Sequence, residues 1–426
     1  MPRVCVIGAG AAGTMAAIFA AAAGAETTLL ERTHDGGRKI LISGGGRCNI
    51  LPARLDESRF VTDSSPHTLH RIIRSWPLDQ QISFFERDLD VPLFEEPDSG
   101  KLFPRSQKAR EVRDKLLAFA RRKGVTVAAD AFVTDVSRSA SGWTIARRGG
   151  DPLSADAVIV ATGGLSVPNT GSDGTGLGIV ERLGHSIHRT YPALTPLIND
   201  AAKRGREPFS QTSNEKGSRP LFAHLSGISL PVTLAARSDI RKAEASGGFL
   251  FTHHGYSGPA VLDVSHVAVR SLTESTLPAP LTVRWTVLED ADWDAALRAT
   301  GSRTALAAVS AQLPQRLAET LMAGAGIAVD RRLSHLTRAD RLRLISTLVR
   351  GPLPWTGHEG YKKAEVTGGG VSLAEVDPKT LESRRHKGLF LCGEILDAFG
   401  PIGGYNFLWA WVTGRAAGIA AAKVCY

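Results

Sequence analysis

Three glycines near the start of the sequence are regularly spaced. Gly8, Gly10 and Gly13 form a GxGxxG pattern between a short apolar run, Val4–Ile7, and an alanine-rich segment, 14–23. The first glycine permits a tight turn, the second lets the backbone approach a pyrophosphate, and the third lets a helix pack closely on a strand. The unpaired N–H groups at the start of that helix favour phosphate. The pattern therefore predicts a strand, turn and helix that bind a dinucleotide.

A carboxylate follows the next strand at the distance that this pattern requires. Thr27–Leu30 is a second predicted strand, and Glu31 comes directly after it. Glu31 is placed to accept hydrogen bonds from both ribose hydroxyls, and its charge would repel a 2′-phosphate. The adenosine end is therefore that of FAD or NAD rather than NADP. The candidate contacts here are Gly8, Gly10, Ala12, Gly13, Glu31 and Arg32.

A second glycine-rich segment, 36–49, is basic. We expect a loop rather than a helix, because glycines are so frequent in it. Its cations would balance diphosphate charge, and its glycines would offer backbone N–H groups; the alternative is a solvated basic loop. The alternatives for Cys48 are contact with the cofactor, covalent attachment to the cofactor, or simple burial. The candidate contacts are Arg38, Lys39, Ser43, Gly44, Gly45, Arg47, Cys48 and Asn49.

The rest of the chain decides between NAD and FAD. A buried strand is predicted at 157–161, and short strands at 125–127, 131–136 and 143–145 are typical of a cover over adenine. A last strand, 389–392, precedes a carboxylate suited to a ribityl hydroxyl, and a glycine pair opens an apolar helix that can stabilise reduced flavin. These features exceed what NAD needs, so we expect FAD. The further candidate contacts are Val133, Ala161, Thr162, Gly163, Gly393, Glu394, Gly403, Gly404, Tyr405 and Asn406.

Composition excludes several other classes. The chain has 426 residues and four cysteines without zinc-like spacing, so we expect neither a disulfide framework nor a metal site. The uncharged stretch 4–25 contains the three glycines and is therefore not expected to be a signal peptide or membrane span. The net charge of +9 is dispersed, and nucleic acid is not expected as a partner. We expect a cytoplasmic protein.

Five stretches carry a family resemblance. Segment 38–49, segment 250–260 (LFTHHGYSGPA) and the C-terminal stretches 362–371, 377–383 and 393–411 resemble the signatures of the BaiN-like flavoproteins, also called the aminoacetone-oxidase family. The present chain departs from several relatives at Pro401-Ile402, before the glycine pair. The resemblance implies FAD and two kinds of activity, oxidation of an amine with O₂ and NAD(P)H-driven reduction of an unsaturated molecule.

The resemblance also implies an α/β fold with a discontinuous FAD-binding Rossmann domain of the glutathione-reductase type. We place that domain at 1–190 plus 355–426, an inserted β-rich domain at 191–290, and a small helical domain at 291–354. Loss of the βαβ rhythm after residue 192 agrees with this division.

The predicted function is FAD-dependent oxidation or reduction of a small organic molecule by hydride transfer at flavin N5. NAD(P)H would be a transient reductant, because no second complete GxGxxG unit is present. The alternatives are a flavin-dependent RNA-modifying enzyme and a non-catalytic flavin-binding sensor. The candidate acid–base residues, each of which could equally have only a packing role, are His253, His254, Tyr256 and Tyr405.

Overall fold

The computed structural model describes residues 1–97, 99–140, 142–199, 222–298 and 302–424. The chain forms two compact units. The first unit combines Met1–Pro192 with Glu365–Tyr426, and the second unit is Ala193–Ala364. Where we expected a β-rich domain and a separate helical domain, the structure has one unit.

The first half of the first unit contains eleven strands and six helices within the described residues. Strands β1 to β11 are Arg3–Ile7, Glu26–Leu30, Leu51–Pro52, Leu93–Glu96, Lys101–Pro104, Thr126–Ala128, Val133–Ser139, Gly142–Arg147, Gly150–Ala155, Ala157–Val160 and Ile187–Ala193. Helices α1 to α6 are Ala11–Ala22, Arg38–Ile42, Pro66–Ile73, Leu78–Ser83, Ala109–Arg122 and Thr175–Arg182.

The second unit is built on one seven-stranded sheet. Its strands, β12 to β18, are Leu197–Ile198, Ser229–Arg237, Lys242–Phe251, Gly255–Ser257, Leu281–Arg284, Gly351–Pro352 and Gly357–His358. Its helices, α7 to α11, are Pro259–Glu274, Asp290–Leu297, Ala305–Val309, Gln315–Gly324 and Arg338–Arg350. Strand residues such as Phe249 and Val283 share one hydrophobic core with helix residues such as Trp293 and Leu344. This shared core is why the β-rich and helical segments do not separate.

The chain then returns to the first unit. Strands β19 and β20 are Val366–Val371 and Leu389–Leu391, and helix α12 is Tyr405–Ala421. The main sheet has the strand order β20-β10-β1-β2-β6 and is parallel throughout. Its strands are apolar runs covered on both faces, as parallel sheets require; β10 is buried along its whole length. The predicted Rossmann-type α/β fold is confirmed.

Helix α12 packs directly against α1 through two glycines. A Cβ atom on Gly414 would lie 2.3 Å from the carbonyl oxygen of Ala12, and one on Gly418 would lie 2.2 Å from that of Ala16. The two helix backbones can therefore approach more closely than side chains would allow. This contact sets the middle of α12, at Gly414, against the first turn of α1.

One local prediction is wrong. The segment 36–49, expected to be a loop throughout, contains the short helix α2. Gly37 adopts the left-handed conformation, φ 64°, directly before the helix, and the five residues that follow contain no glycine. The helix is therefore formed between glycines rather than prevented by them.

The N-terminal apolar stretch divides into β1, a glycine turn and α1. Over the residues that the structure describes, helices with the length and apolar character needed to cross a membrane are absent.

Candidate functional site

The turn between β1 and α1 has the geometry of a phosphate-binding loop. Gly8 has φ 103°, and a Cβ atom on it would lie 2.6 Å from the Ala161 carbonyl oxygen. A Cβ atom on Gly13 would lie 1.8 Å from the Gly8 oxygen, whereas around Gly10 there is open space. Helix α1 begins after Gly10 without a side-chain cap among the described residues, so its first N–H groups face this space. A pyrophosphate fits there.

Glu31 lies where the ribose carboxylate was predicted. It is buried at the carboxyl end of β2, with 7% of its surface exposed. Its Oε2 accepts a hydrogen bond from the Ala9 N–H at 2.9 Å, and its Oε1 accepts from the Thr33 N–H at 2.8 Å and the Thr33 hydroxyl at 2.6 Å. These bonds fix the carboxylate beside the glycine turn. Oε1 already accepts two hydrogen bonds, whereas Oε2 accepts one and keeps a lone pair, so ribose contact stays a prediction.

Arg32 closes the adenosine side of this region. Its guanidinium forms an ion pair with Asp173 at 2.6 Å and stacks over the Phe132 ring at 4.6 Å. Val133, a candidate adenine contact, is buried at the start of β7, next to that ring. The loop after β10 is thus held against the strand ends by a side chain that we expected to contact the cofactor.

The three cations of the 36–49 segment all pair with carboxylates of the chain. Arg38 contacts Asp35 at 2.8 Å, and Arg47 contacts Glu96 at 2.9 Å while stacking over Phe103. The third pair, between Lys39 and Glu394, lies at the centre of the site. Neutralisation of diphosphate charge by these cations stays a prediction.

The glycine loop that follows exposes backbone. Gly44 and Gly45 are left-handed, with φ 56° and 69°, and both are exposed. Cys48, also left-handed, is fully buried, and burial raises the pKa of its thiol to about 12. The thiol is therefore protonated at neutral pH, which favours simple burial over covalent attachment.

Two buried polar atoms in this region lack a partner. The Asn49 Oδ1 and Thr162 Oγ1 atoms form no hydrogen bond within the part of the chain that the structure describes. Ala161 and Gly163, the other candidates of this strand end, flank Thr162 after β10. Buried polar groups normally have partners, so unpaired ones indicate an absent ligand. With the open glycine turn, they fit an extended dinucleotide such as FAD.

A partly buried ion-pair network joins segments distant in sequence. Lys39 Nζ donates to Glu394 Oε2 and to Ser166 Oγ, both at 2.7 Å. Glu394 Oε1 accepts from the Ser166 hydroxyl at 2.5 Å and from the Thr367 N–H at 2.9 Å. The Lys39 charge and these hydrogen bonds hold the pKa of Glu394 below its usual range, despite burial. We call these four residues the Lys39–Glu394 cluster; both carboxylate oxygens are occupied, so the ribityl contact stays a prediction.

The C-terminal glycines open α12 as predicted. Gly403 and Gly404 have φ 124° and 91°, and a Cβ atom on Gly404 would lie 2.4 Å from the Leu51 backbone. Asn406 braces this turn, since its amide both donates to and accepts from the Gly400 backbone at 2.9 Å. The first N–H groups of α12 have no side-chain cap among the described residues.

Tyr405 and Gly393 have close packing roles. Tyr405 is buried, and its hydroxyl accepts a hydrogen bond from the Asp56 N–H at 3.3 Å. A Cβ atom on Gly393 would lie 2.7 Å from the Ala12 side chain, so this glycine lets the end of β20 approach α1.

The other acid–base candidates belong to the second unit. His253 and His254 are exposed between β14 and β15. Tyr256 is buried, and its hydroxyl donates to the Pro354 carbonyl at 2.8 Å and accepts from the Asn199 amide at 2.9 Å. These bonds give Tyr256 a packing role, whereas a catalytic role for the histidines stays a prediction.

Sequence reasoning missed Ser166, Thr367 and Glu365. Glu365 directly precedes β19, two residues before Thr367, and its side chain is exposed. Partial desolvation of the carboxyl nevertheless raises its pKa, although the Lys39 charge opposes the effect. Thr367 and Glu365 lie inside the quoted stretch 362–371, which was the only available signal; Ser166 had none.

The parallel sheet, the glycine turn and the unpaired polar atoms define a Rossmann-type FAD-binding fold. The family model described as HI0933-like protein Rossmann domain matches residues 2–420, and the chain belongs to this family of FAD-dependent oxidoreductases. The resemblance to the BaiN-like flavoproteins is thereby confirmed.

Relatives cover nearly the whole chain. A protein named 3-dehydro-bile acid delta(4,6)-reductase from Clostridium scindens is 31% identical over 99% of this chain and 100% of its own length. A ribosomal RNA dihydrouridine synthase from Escherichia coli is 30% identical over 95% of this chain and 94% of its own length. Among solved structures, a 3-ketosteroid-Δ4-(5α)-dehydrogenase from Rhodococcus jostii is 15% identical, with TM-score 0.48, covering 99% of this chain and 97% of that one.

Proposed function

We propose that the protein is an FAD-dependent reductase that adds hydride and a proton across a carbon–carbon double bond conjugated to a carbonyl group. The names of two relatives support the reductive direction. One is a delta(4,6)-reductase, and the other makes dihydrouridine, which is uridine with its 5,6 double bond reduced. When bound, FAD supplies the hydride, which it accepts from a nicotinamide such as NAD(P)H.

The chain's own residues hold this cofactor along its length. The turn at Gly8 to Gly13 takes the pyrophosphate, and Glu31 takes the ribose. The uncapped amino end of α12, opened by Gly404, stabilises negative charge at the pyrimidine end of the flavin. The Lys39–Glu394 cluster fixes the ends of α2 and β20 between these two regions.

The observation that carries the proposal is the exposed Glu365 carboxyl beside this cluster. Its raised pKa keeps more of the carboxyl protonated than an ordinary glutamate would. Reduction of the double bond needs one proton at the carbon next to the carbonyl, once hydride has reached the other carbon. Glu365 donates that proton from its Oε–H and regains one from water, so charge and atoms balance.

The experiment is an anaerobic titration of the FAD-loaded protein with NADH and NADPH, followed by addition of a conjugated enone. Bleaching of the flavin band by NAD(P)H and its return with the enone are expected. Bleaching by small amines, with none by either nicotinamide, would instead make the protein an amine oxidase and contradict the proposal.

The same assay on His253→Ala and His254→Ala tests whether the histidines act as acid–base residues. Unchanged rates in both variants would exclude them from that role.

A second candidate substrate is a uracil ring in RNA. It is favoured by the net charge of +9 together with the Escherichia coli relative. Incubation with unmodified ribosomal RNA and NADPH, followed by mass spectrometry of nucleosides, should give a gain of two mass units on uridine. If the protein reduces enones but leaves the mass of uridine unchanged, its activity is restricted to small molecules.

A cytoplasmic location stays a prediction.

A further inference from the structure

A groove of about 620 Å³ lies in the first unit, away from the candidate flavin site. Residues of the last two turns of α12, including Arg415 and Ile419, line it together with Lys387, which precedes β20. The flavin site lies at the opposite ends of these elements, at the amino end of α12 and the carboxyl end of β20. Since α12 has 17 residues, its ends are about 25 Å apart at 1.5 Å per residue.

The charged side chains of the groove lining are mainly basic. Lys379, Lys387, Arg415 and Lys423 contribute four cations, and Glu382 contributes a carboxylate. Lys379 and Lys423 are exposed, and within the described ranges neither has a carboxylate within 4 Å.

The only carboxylate of the lining is engaged, and one cation is anchored. Glu382 accepts a hydrogen bond from the Gly388 N–H at 2.7 Å. The Arg415 guanidinium rests over the rings of Phe19 and Trp76, at 5.4 and 5.2 Å. The groove therefore combines an anchored cation, Arg415, with the exposed Lys379 and Lys423 beside apolar residues such as Ile419.

This groove gives a role to a motif that the flavin site does not use. Asp377 accepts hydrogen bonds from the N–H groups of Lys379 and Thr380 at 2.8 and 3.2 Å, which closes a turn. Ser383 accepts from the N–H groups of Arg385 and His386 at 3.1 Å. Asp377 and Ser383 thus shape the loop, which presents Lys379, Thr380 and Glu382 to the groove.

We infer that this groove binds the phosphodiester backbone of an RNA substrate. The inference rests on the RNA form of the proposed function. Cations around an open concavity suit successive phosphates, and the apolar floor at Ile419 and Ala420 suits ribose and base surfaces. A separation of about 25 Å from the flavin site is one that a polymer spans and a small substrate does not.

The test measures binding of a fluorescein-labelled 20-nucleotide oligouridylate to the FAD-loaded protein between 50 and 300 mM salt. The groove variant is Lys379→Glu with Lys423→Glu. The control is Arg237→Glu with Lys242→Glu, two exposed cations paired across β13 and β14 of the second unit. The control changes net charge equally. Lys379→Gln with Lys423→Gln is a milder second variant, and thermal midpoints verify that each variant is folded.

The groove variant should bind RNA at least tenfold more weakly at 100 mM salt, with a salt slope reduced by about two, since two phosphate contacts are lost. The control should stay within twofold. Equal losses in both variants, no loss in either, no RNA binding by the native protein, or competition by polyglutamate as strong as by RNA would each overturn the inference.

Flavin bleaching by NAD(P)H, measured on the same samples, separates this inference from the proposed function. The groove variants should bleach at the native rate. Groove-dependent RNA binding by a protein that no nicotinamide reduces would support the groove and contradict the reductase proposal.

Discussion

At the scale of single residues, Glu365 links the fold to the chemistry. Its carboxyl is exposed, has a raised pKa, and precedes a strand whose Thr367 N–H binds Glu394. A group of this kind can act on substrate without being needed to hold the cofactor. Substitution of Glu365 should therefore slow reduction of the substrate and leave reduction of the flavin unchanged.

Glu365→Gln should slow reoxidation of the reduced protein by an enone about 100-fold, the lower range for loss of a general acid. Flavin content and the rate of bleaching by NAD(P)H should not change. Stopped-flow absorbance measures both halves. In the native protein the reoxidation rate should fall as pH rises through the pKa of Glu365, and this fall should be absent in the variant. Equal slowing of both halves would assign Glu365 a structural role.

The Lys39–Glu394 cluster gives a second residue-scale prediction. In Lys39→Met, Glu394 loses its cation while its side chain stays 17% exposed, so unfolding free energy should drop by about 1–3 kcal/mol. Burial would then raise the pKa of Glu394, and the loss should be smaller at pH 5 than at pH 8. Urea unfolding and FAD fluorescence measure this; the exposed Lys242→Met is the control. A loss of unfolding free energy that does not vary with pH would contradict the Lys39–Glu394 ion pair.

Local sequence patterns predicted these residues one by one, but they did not predict which residues contact each other. The GxGxxG turn and Glu31 were found because one short βαβ segment contains them. Lys39 and Glu394 were also found, but their pairing spans 355 positions and depends on β20 lying beside β10. Ser166 and Glu365 have common residue types without a spacing pattern, so only the fold identifies them.

At the scale of elements, the contact between α1 and α12 fixes the position of α12, whose amino end we propose faces the flavin. Gly414→Ala would place a methyl group against the Ala12 carbonyl, so unfolding free energy should drop by about 1–3 kcal/mol and FAD should dissociate faster. Gly324→Ala in α10, with open space around the added Cβ, is the control and should be neutral or stabilising. Thermal unfolding and flavin release measure both, and equal effects would contradict the packing argument.

The segment between β19 and β20 is held by an acidic contact. The Arg385 guanidinium lowers the pKa of Glu375 from 4.5 to about 2. A lowered pKa contributes stability above pH 4.5, and this contribution is lost as pH falls towards 2. Glu375→Gln should therefore reduce unfolding free energy by about 1 kcal/mol at pH 7, since Arg385 is half exposed, and by nothing near pH 2. Urea titrations at several pH values measure the difference in unfolding free energy between the native protein and the variant. This difference should become smaller, not larger, as the pH falls.

Elements were predicted most reliably where apolar runs meet glycine turns. The strands β1, β2, β10 and β20 follow their apolar runs, whereas α2 was missed because glycine frequency was averaged over the whole segment. The second unit is also one compact unit, although its composition predicted a β-rich domain and a separate helical domain. Its strands and helices differ in pattern, yet their apolar residues pack into one core.

At the scale of the whole molecule, two separate regions of the first unit would divide binding from chemistry. Lys379→Glu with Lys423→Glu should lower kcat/KM for a 20-nucleotide RNA at least tenfold while leaving kcat/KM for a small enone unchanged. The charge-matched Arg237→Glu with Lys242→Glu should alter neither. Steady-state NADPH oxidation with each substrate is the measurement, and a parallel loss with both substrates would place the effect at the flavin site instead.

The pairing of β20 with β10 has a consequence for synthesis of the chain. About 230 residues separate these adjacent strands, a non-local contact that forms late in folding. At a translation rate of about 5–20 residues per second, the edge of β10 waits roughly 10 to 50 seconds for its neighbour. During that interval an apolar strand edge is open to pairing with other chains. We therefore expect the yield of folded protein to depend on how fast the second unit is translated.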